Sequence, residues 1–119
     1  MATTGFRLSG ITIDCLDPDL VARFWAGLLG GELRASLPGW YELGERGRPR
    51  INFQPVLEPK TVKTRIHLDL TVDDIDRAVE AVVQAGGRAT DERHDYAEGI
   101  VVVMADPEGT EFCLVKYFA

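Results

Sequence analysis

The sequence predicts an α+β fold, in which two βαβββ modules form a cupped mixed β-sheet with the helices on its outer face. The first observation behind this prediction is that strand-like alternation and helical periodicity follow in the same order in both halves of the chain. The second is that matching residues of the two halves are separated by a constant number of positions. Asp17 and Asp74 each precede a helical pattern, Gly30 and Gly87 each follow one, and both pairs are 57 residues apart. A repeat found only twice indicates a duplicated module rather than a solenoid.

Length and composition agree with one domain. The 119 residues are 45% hydrophobic and 27% charged, which suits a single domain at 1–119 with modules at about 7–57 and 65–117. The net charge of −6 argues against nucleic acid or an anionic membrane as partner, since both need a basic surface. Neither a membrane span nor a signal-peptide pattern is expected. Two cysteines predict free thiols and a cytoplasmic location.

The first module begins with an alternating strand and continues into an amphipathic helix. Asp17 is the expected N-cap and Pro18 the first helical residue. Apolar residues at helical spacing, among them Trp25, predict a buried face through about Leu29. The predicted strands of this module are Arg7–Cys15, Glu32–Ser36, Trp40–Leu43 and Arg50–Val56.

The second module repeats this order. Asp73 or Asp74 is the expected N-cap of a helix over Ile75–Ala85. A polar loop containing His94 is expected in the second half of the module. The turn at residues 106–109 is explained by Asp, Pro and Gly turn chemistry. The predicted strands are Ile66–Val72, Arg88–Asp91, Ile100–Met104 and Glu111–Tyr117.

Four strands carry apolar residues on one face and polar residues on the other. The helices must cover the apolar face, so the polar face either meets solvent or lines a cavity. Because it combines an imidazole, carboxylates and amides from separate strands, we predict a ligand pocket. Trp40 and Tyr41 beside it either form an aromatic wall or, as the more common case, simply pack. The predicted lining is Asp14, Trp40, Asn52, Gln54, His67, Asp69, Glu111 and Cys113.

His67 is the leading candidate for chemistry. A histidine titrates near neutral pH and can serve as a general base. Asp69 lies two residues further on the same strand face, where it would orient the ring or supply charge. The alternative is a histidine that is only hydrogen-bonded within a polar pocket. The residues favour these two interpretations equally, and if the protein is an enzyme the predicted catalytic pair is His67 and Asp69.

Three motifs carry a resemblance to a known family. They are Asp17-Pro18 before the first helix, His67 seven residues before Asp74, and the run Ala105–Phe112. Together with the duplicated order they resemble the vicinal oxygen chelate superfamily, which includes glyoxalase I, bleomycin-resistance proteins and extradiol dioxygenases. The closest likeness is to its short glyoxalase-like proteins. The resemblance implies a small-molecule ligand and a homodimer.

The resemblance also implies where a metal would bind. In the superfamily's metal enzymes a divalent ion is held from four strands, at positions that correspond here to Gly10, Gln54, His67 and Cys113. Glycine offers no ligand, and glutamine and cysteine are unusual replacements. We expect no family-type metal site and no cofactor. If a metal binds, it is zinc, nickel, iron or manganese, held by Gln54, His67 and either Glu111 or Cys113.

Two functional hypotheses follow, and the sequence leaves open whether the protein is an enzyme. In the first, the protein resembles the bleomycin-resistance proteins and holds a hydrophobic or aromatic small molecule without metal. In the second, it is a metal-dependent lyase, isomerase or dioxygenase with an altered ligand set centred on His67. Metal-free acid–base catalysis by His67 and Asp69 is a third possibility.

Overall fold

The structure is a computed structural model that describes residues 5–118. The predicted domain bounds, 1–119, therefore include residues 1–4 and 119, which lie outside the described part. The chain divides into two compact units, Met1–Glu58 and Pro59–Ala119, and each contains one helix and one four-stranded mixed sheet in βαβββ order. This arrangement confirms the predicted α+β class. In the described residues no helix is long and apolar enough to cross a membrane.

The first unit contains one helix capped as predicted. Asp17 accepts a hydrogen bond from the Leu20 N–H at 3.2 Å, Pro18 occupies the first turn, and Gly30 ends the helix at a positive φ of 70°. The sheet order is β1-β4-β3-β2, in which β1 runs parallel to β4. The elements are β1 (Gly10–Cys15), α1 (Pro18–Leu29), β2 (Glu32–Ala35), β3 (Tyr41–Gly44) and β4 (Arg50–Pro55).

The core of this unit lies between α1 and one face of its sheet. Trp25 is 1% exposed and Phe53 is fully buried, which confirms the predicted apolar helix face. Tyr41 shares the Phe53 face, because the two residues are partners in the β3–β4 register. A hydrogen bond with Asp19 of α1 raises the pKa of Tyr41. Tyr41 therefore belongs to the helix side of this sheet.

The second unit repeats the topology with the sheet order β5-β8-β7-β6, in which β5 runs parallel to β8. Asp74 caps its helix by accepting the Arg77 N–H at 3.1 Å. Gly86 ends the helix in the left-handed conformation. The elements are β5 (Asp69–Thr71), α2 (Ile75–Ala85), β6 (Arg88–Asp95), β7 (Gly99–Ala105) and β8 (Glu111–Tyr117).

Two strand predictions in this unit are wrong. The strand predicted at Ile66–Val72 covers only Asp69–Thr71, so His67 precedes it. The expected polar loop around His94 is part of β6, where His94 pairs with Val101 of β7. An edge strand exposed on both faces needs no alternation of apolar and polar residues, and a register shift between Ala89 and Arg93 breaks the pattern further.

The turn between β7 and β8 is held by a buried aspartate. Asp106 is 1% exposed. Its Oδ1 accepts the N–H of Glu108 at 2.9 Å and of Thr110 at 3.0 Å, and Gly109 has a φ of 87°. These contacts support turn chemistry rather than catalysis as the role of this motif.

Candidate functional site

The sheet of the second unit has two different faces. Met104, Phe112 and Leu114 are almost fully buried and share one face by register. Because α2 packs on β6, β7 and β8, we assign this face to the helix. The opposite face carries an apolar cluster at the centre of the sheet. Its members are Val101, Val103, Cys113 and Val115.

A cavity of about 270 Å³ lies on this second face. Its apolar floor is Val101 and Val115, which are register partners in β7 and β8. This volume is near the lower limit, about 300 Å³, of ordinary small-molecule pockets. Among the described residues, the lining consists of Asp69, Tyr96, Glu98, Gly99, Val101, Val115 and Tyr117.

The two tyrosines stand at the rim. Tyr96 is 54% exposed and Tyr117 is 64% exposed. Tyr96 lies in the turn between β6 and β7, where its N–H and carbonyl both bond to Gly99, and its ring stacks on His94 at 5.9 Å. Two aromatic surfaces are thereby presented beside an apolar floor, an arrangement suited to a planar ligand.

Gly99 permits the strand spacing that forms the cavity. A Cβ on this residue would lie 2.1 Å from the Lys116 carbonyl oxygen and 3.1 Å from the Tyr117 Cα. No side chain fits at such a distance from backbone atoms. Because Gly99 has no side chain, β7 and β8 can approach each other closely at the cavity wall.

Asp69 and Cys113 are brought together by the parallel pairing of β5 and β8. Burial raises the pKa of the Cys113 thiol, and the Asp69 carboxylate raises it further through its charge and a hydrogen bond. The thiol is thus neutral near pH 7 and is a weak metal ligand and nucleophile in this state. Asp69 and Cys113 were both predicted to line the pocket, and the structure places them in direct contact.

Glu111 is fixed by the segment that leads into β5. One carboxylate oxygen accepts the Thr64 N–H at 3.1 Å and the Thr64 hydroxyl at 2.8 Å, and it pairs with Lys60 Nζ at 3.0 Å. Burial opposes ionisation, but these three donors outweigh it and lower the pKa of Glu111 to about 2. The carboxylate is ionised and already paired, so its role is to tie residues 60–64 to β8.

His67 differs from these residues because its Nε2 is buried without a hydrogen-bond partner in the described structure. Such an atom is costly unless water or a ligand satisfies it. Glu92 is close enough to His67 for their charges to interact. The pKa of Glu92 is lowered by its hydrogen bond with His94 and by the charges of Lys63 and His67. Asp69 is hydrogen-bonded to Cys113, and no hydrogen bond between His67 and Asp69 is found among the described residues.

The donor set does not fit a family-type metal site. Within residues 5–118, no group of three or more His, Cys, Asp or Glu side chains could hold a metal ion. Glu111 is occupied by Lys60 and Thr64, and the Cys113 thiol is neutral. At Gly10 a Cβ would lie 3.0 Å from the Arg50 carbonyl oxygen and 3.2 Å from Asn52 Nδ2, which leaves little room for a ligating side chain.

The remaining predicted residues lie in the first unit. Asp14 is exposed and faces the same side as its register partner Gln54. Asn52 is half-buried, with Nδ2 at 3.4 Å from the Thr12 hydroxyl. Trp40 is half-buried just before β3. None of these four residues lines the cavity of the second unit or the polar groove of the first unit.

The first unit has a polar groove of about 290 Å³ instead. Glu42 pairs there with Arg34, and with Arg50 at 3.5 Å. Glu45 pairs with Arg48 at 2.7 Å. Because these charges largely neutralise one another, the groove offers less to an apolar ligand than the cavity of the second unit does.

Comparison with known proteins identifies the family. The glyoxalase-like domain model matches residues 10–115, whereas a search of curated proteins finds no match. A glyoxalase/bleomycin resistance protein/dioxygenase family enzyme from Burkholderia phytofirmans PsJN is similar in structure. It is 19% identical with a TM-score of 0.75, covering 93% of this chain and 98% of the other.

Two other solved structures are similar at comparable identity. TnmS3, an antibiotic binding protein from Streptomyces sp. CB03234, is 18% identical with a TM-score of 0.71, covering 98% of this chain and 100% of the other. Oxidase ChaP-H2 is 17% identical with a TM-score of 0.71, covering 97% and 96%. At these identities the likeness shows the fold alone. The match over residues 10–115 shows that the chain belongs to the glyoxalase-like domain family of the vicinal oxygen chelate superfamily.

Proposed function

We propose that the protein binds a small hydrophobic or aromatic molecule in the cavity of its second unit and releases it chemically unchanged. The observation that carries this proposal is the apolar floor of Val101 and Val115, which lies between the exposed side chains of Tyr96 and Tyr117. Apolar contact area and aromatic stacking are the main sources of affinity for such ligands. The family includes proteins with binding roles, and a similar structure is named an antibiotic binding protein.

The proposal extends to cellular setting and assembly. Cys113 is a free, buried thiol, which supports a cytoplasmic location. Exposed apolar side chains such as Phe6, Leu57 and Ile66 favour a homodimer that covers part of this surface.

The second candidate function is a metal-dependent lyase, isomerase or dioxygenase. The buried Nε2 of His67 has no hydrogen-bond partner among residues 5–118. This favours the second candidate, because an imidazole nitrogen is a common metal ligand. The paired state of Glu111 and the neutral thiol of Cys113 weigh against it. Binding without a bound metal is therefore the better-supported function.

A substitution that fills the cavity tests the proposed site. We expect Val101→Phe to weaken binding of the neutral probe 1-naphthylmethanol about 10-fold, because the larger ring occupies space above the floor. Probe fluorescence measures binding, and thermal unfolding shows whether the variant is folded.

The matched control is Ala81→Phe, which introduces the same side chain at an exposed position of α2. It should bind the probe as the unsubstituted protein does. If Val101→Phe is folded and binds the probe as tightly as the unsubstituted protein does, this cavity is not the site.

A further inference from the structure

We propose that the ligand of this cavity is an organic cation, a protonated amine carried on an aromatic or apolar body. This inference deepens the proposed function and rests on it. It starts from the charged residues of the lining, because an apolar ligand would not need them. Asp69 and Glu98 are the charged residues among the lining, and both are acidic.

Neither carboxylate is neutralised within residues 5–118. Asp69 accepts a hydrogen bond from the neutral Cys113 thiol, which leaves its charge in place. No ion pair involves Glu98 in the described part of the chain, although its carbonyl accepts the Phe118 N–H. An apolar floor between two uncompensated carboxylates favours a ligand with a positive group.

Four basic side chains of the second unit are paired elsewhere or point away from the cavity. Lys60 pairs with Glu111 at 3.0 Å, and Lys63 faces Glu92 at 3.9 Å. Arg93 pairs with Asp95 at 3.2 Å. Lys116 pairs in register with Ile100 and so points to the face opposite Val115. Among the described residues, none that lines the cavity is Lys, Arg or His.

The tyrosines add a second reason for a cation. A ring face attracts an ammonium group within about 6 Å of its centre, and Tyr96 and Tyr117 both border the cavity. One face of Tyr96 is taken by His94, whose Nε2 lies 2.8 Å from Glu92. An anion in this cavity would meet two carboxylates and, among the described lining residues, no cationic side chain. A neutral ligand would leave the charge of both carboxylates uncompensated.

Three probes of one shape test the charge preference. They are 1-naphthylmethylamine, which is cationic at neutral pH, neutral 1-naphthylmethanol and anionic 1-naphthoate. We expect the amine to bind about 10-fold more tightly than the alcohol, the sum of modest contributions from two exposed carboxylates and the aromatic rings. The naphthoate should bind most weakly. Added salt should reduce the preference for the amine, because exposed charges are screened.

The double variant Asp69→Asn, Glu98→Gln keeps the shape of the lining and removes its charge. It should bind amine and alcohol about equally, while Glu80→Gln on the exposed side of α2 should keep the preference. Equal binding of amine and alcohol by the unsubstituted protein would overturn the inference and leave the proposed function standing. A preference that survives in the double variant would also overturn it, since the cation then binds elsewhere. Failure of all three probes to bind would overturn the proposed function itself.

Discussion

Replacing Gly99 by alanine is expected to destabilise the protein by more than about 2 kcal/mol and to abolish probe binding, because overpacking against a rigid backbone forces the strands apart. The added Cβ would stand 2.1 Å from the Lys116 carbonyl oxygen. Relief requires β7 and β8 to separate where Gly99 pairs with Tyr117, at the wall of the cavity. Urea unfolding and fluorescence titration with 1-naphthylmethanol measure the two effects.

Gly27→Ala is the matched control. Gly27 lies within α1, and a Cβ there meets nothing within 4 Å. Alanine should therefore stabilise the helix by about 0.5–1 kcal/mol through its better helix propensity. Unchanged stability and unchanged probe binding in Gly99→Ala would show that the strand spacing does not depend on this glycine.

Glu111→Gln is expected to cost about 1–3 kcal/mol at pH 7, and this cost should shrink as the pH falls towards 2. In the folded protein the pKa of Glu111 is about 2, compared with an ordinary value of 4.5. A lowered folded-state pKa stabilises the protein fully above the unfolded value of 4.5. The stabilisation is lost as the pH falls from there through the folded value of about 2.

Urea unfolding of both proteins at several pH values from 7 down to about 2.5 measures this difference. Glu80→Gln serves as control, since Glu80 is exposed on α2 and its replacement should have little effect at any pH. A cost for Glu111→Gln that stays constant across the range would mean that the ion pair with Lys60 and the Thr64 contacts do not hold the carboxylate ionised.

The helices were the most predictable part of the fold. Asp17 and Asp74 cap them as expected, and the apolar spacing places Trp25 in the core. Local chemistry decides a helix end, so the sequence around it is sufficient. The edge strand β6 was less predictable, because His94 and its neighbours are polar on both faces and pairing with β7 alone makes them a strand.

The position of the cavity could not be predicted from the alternation of apolar and polar residues along the strands. The residues of β7 are apolar on both faces, so the sequence does not say that Val101 and Val103 lie with Cys113 on the open face. Tyr96, Glu98 and Tyr117 were missed because a turn and a strand end bring them to the floor. One available signal was Gly99 between the polar stretch and the apolar strand, since such a glycine often marks close backbone approach. Asp69 was predicted as a lining residue because apolar and polar residues do alternate along its strand.

The central claim is that a small organic molecule binds in the second unit without a metal. The most direct measurement combines metal analysis of the purified protein with titration of 1-naphthylmethanol before and after chelation. We expect substoichiometric metal, probe affinity unchanged by chelation and by His67→Ala, and probe recovered chemically unchanged. Stoichiometric zinc, nickel, iron or manganese that is lost in His67→Ala together with probe binding would contradict the claim.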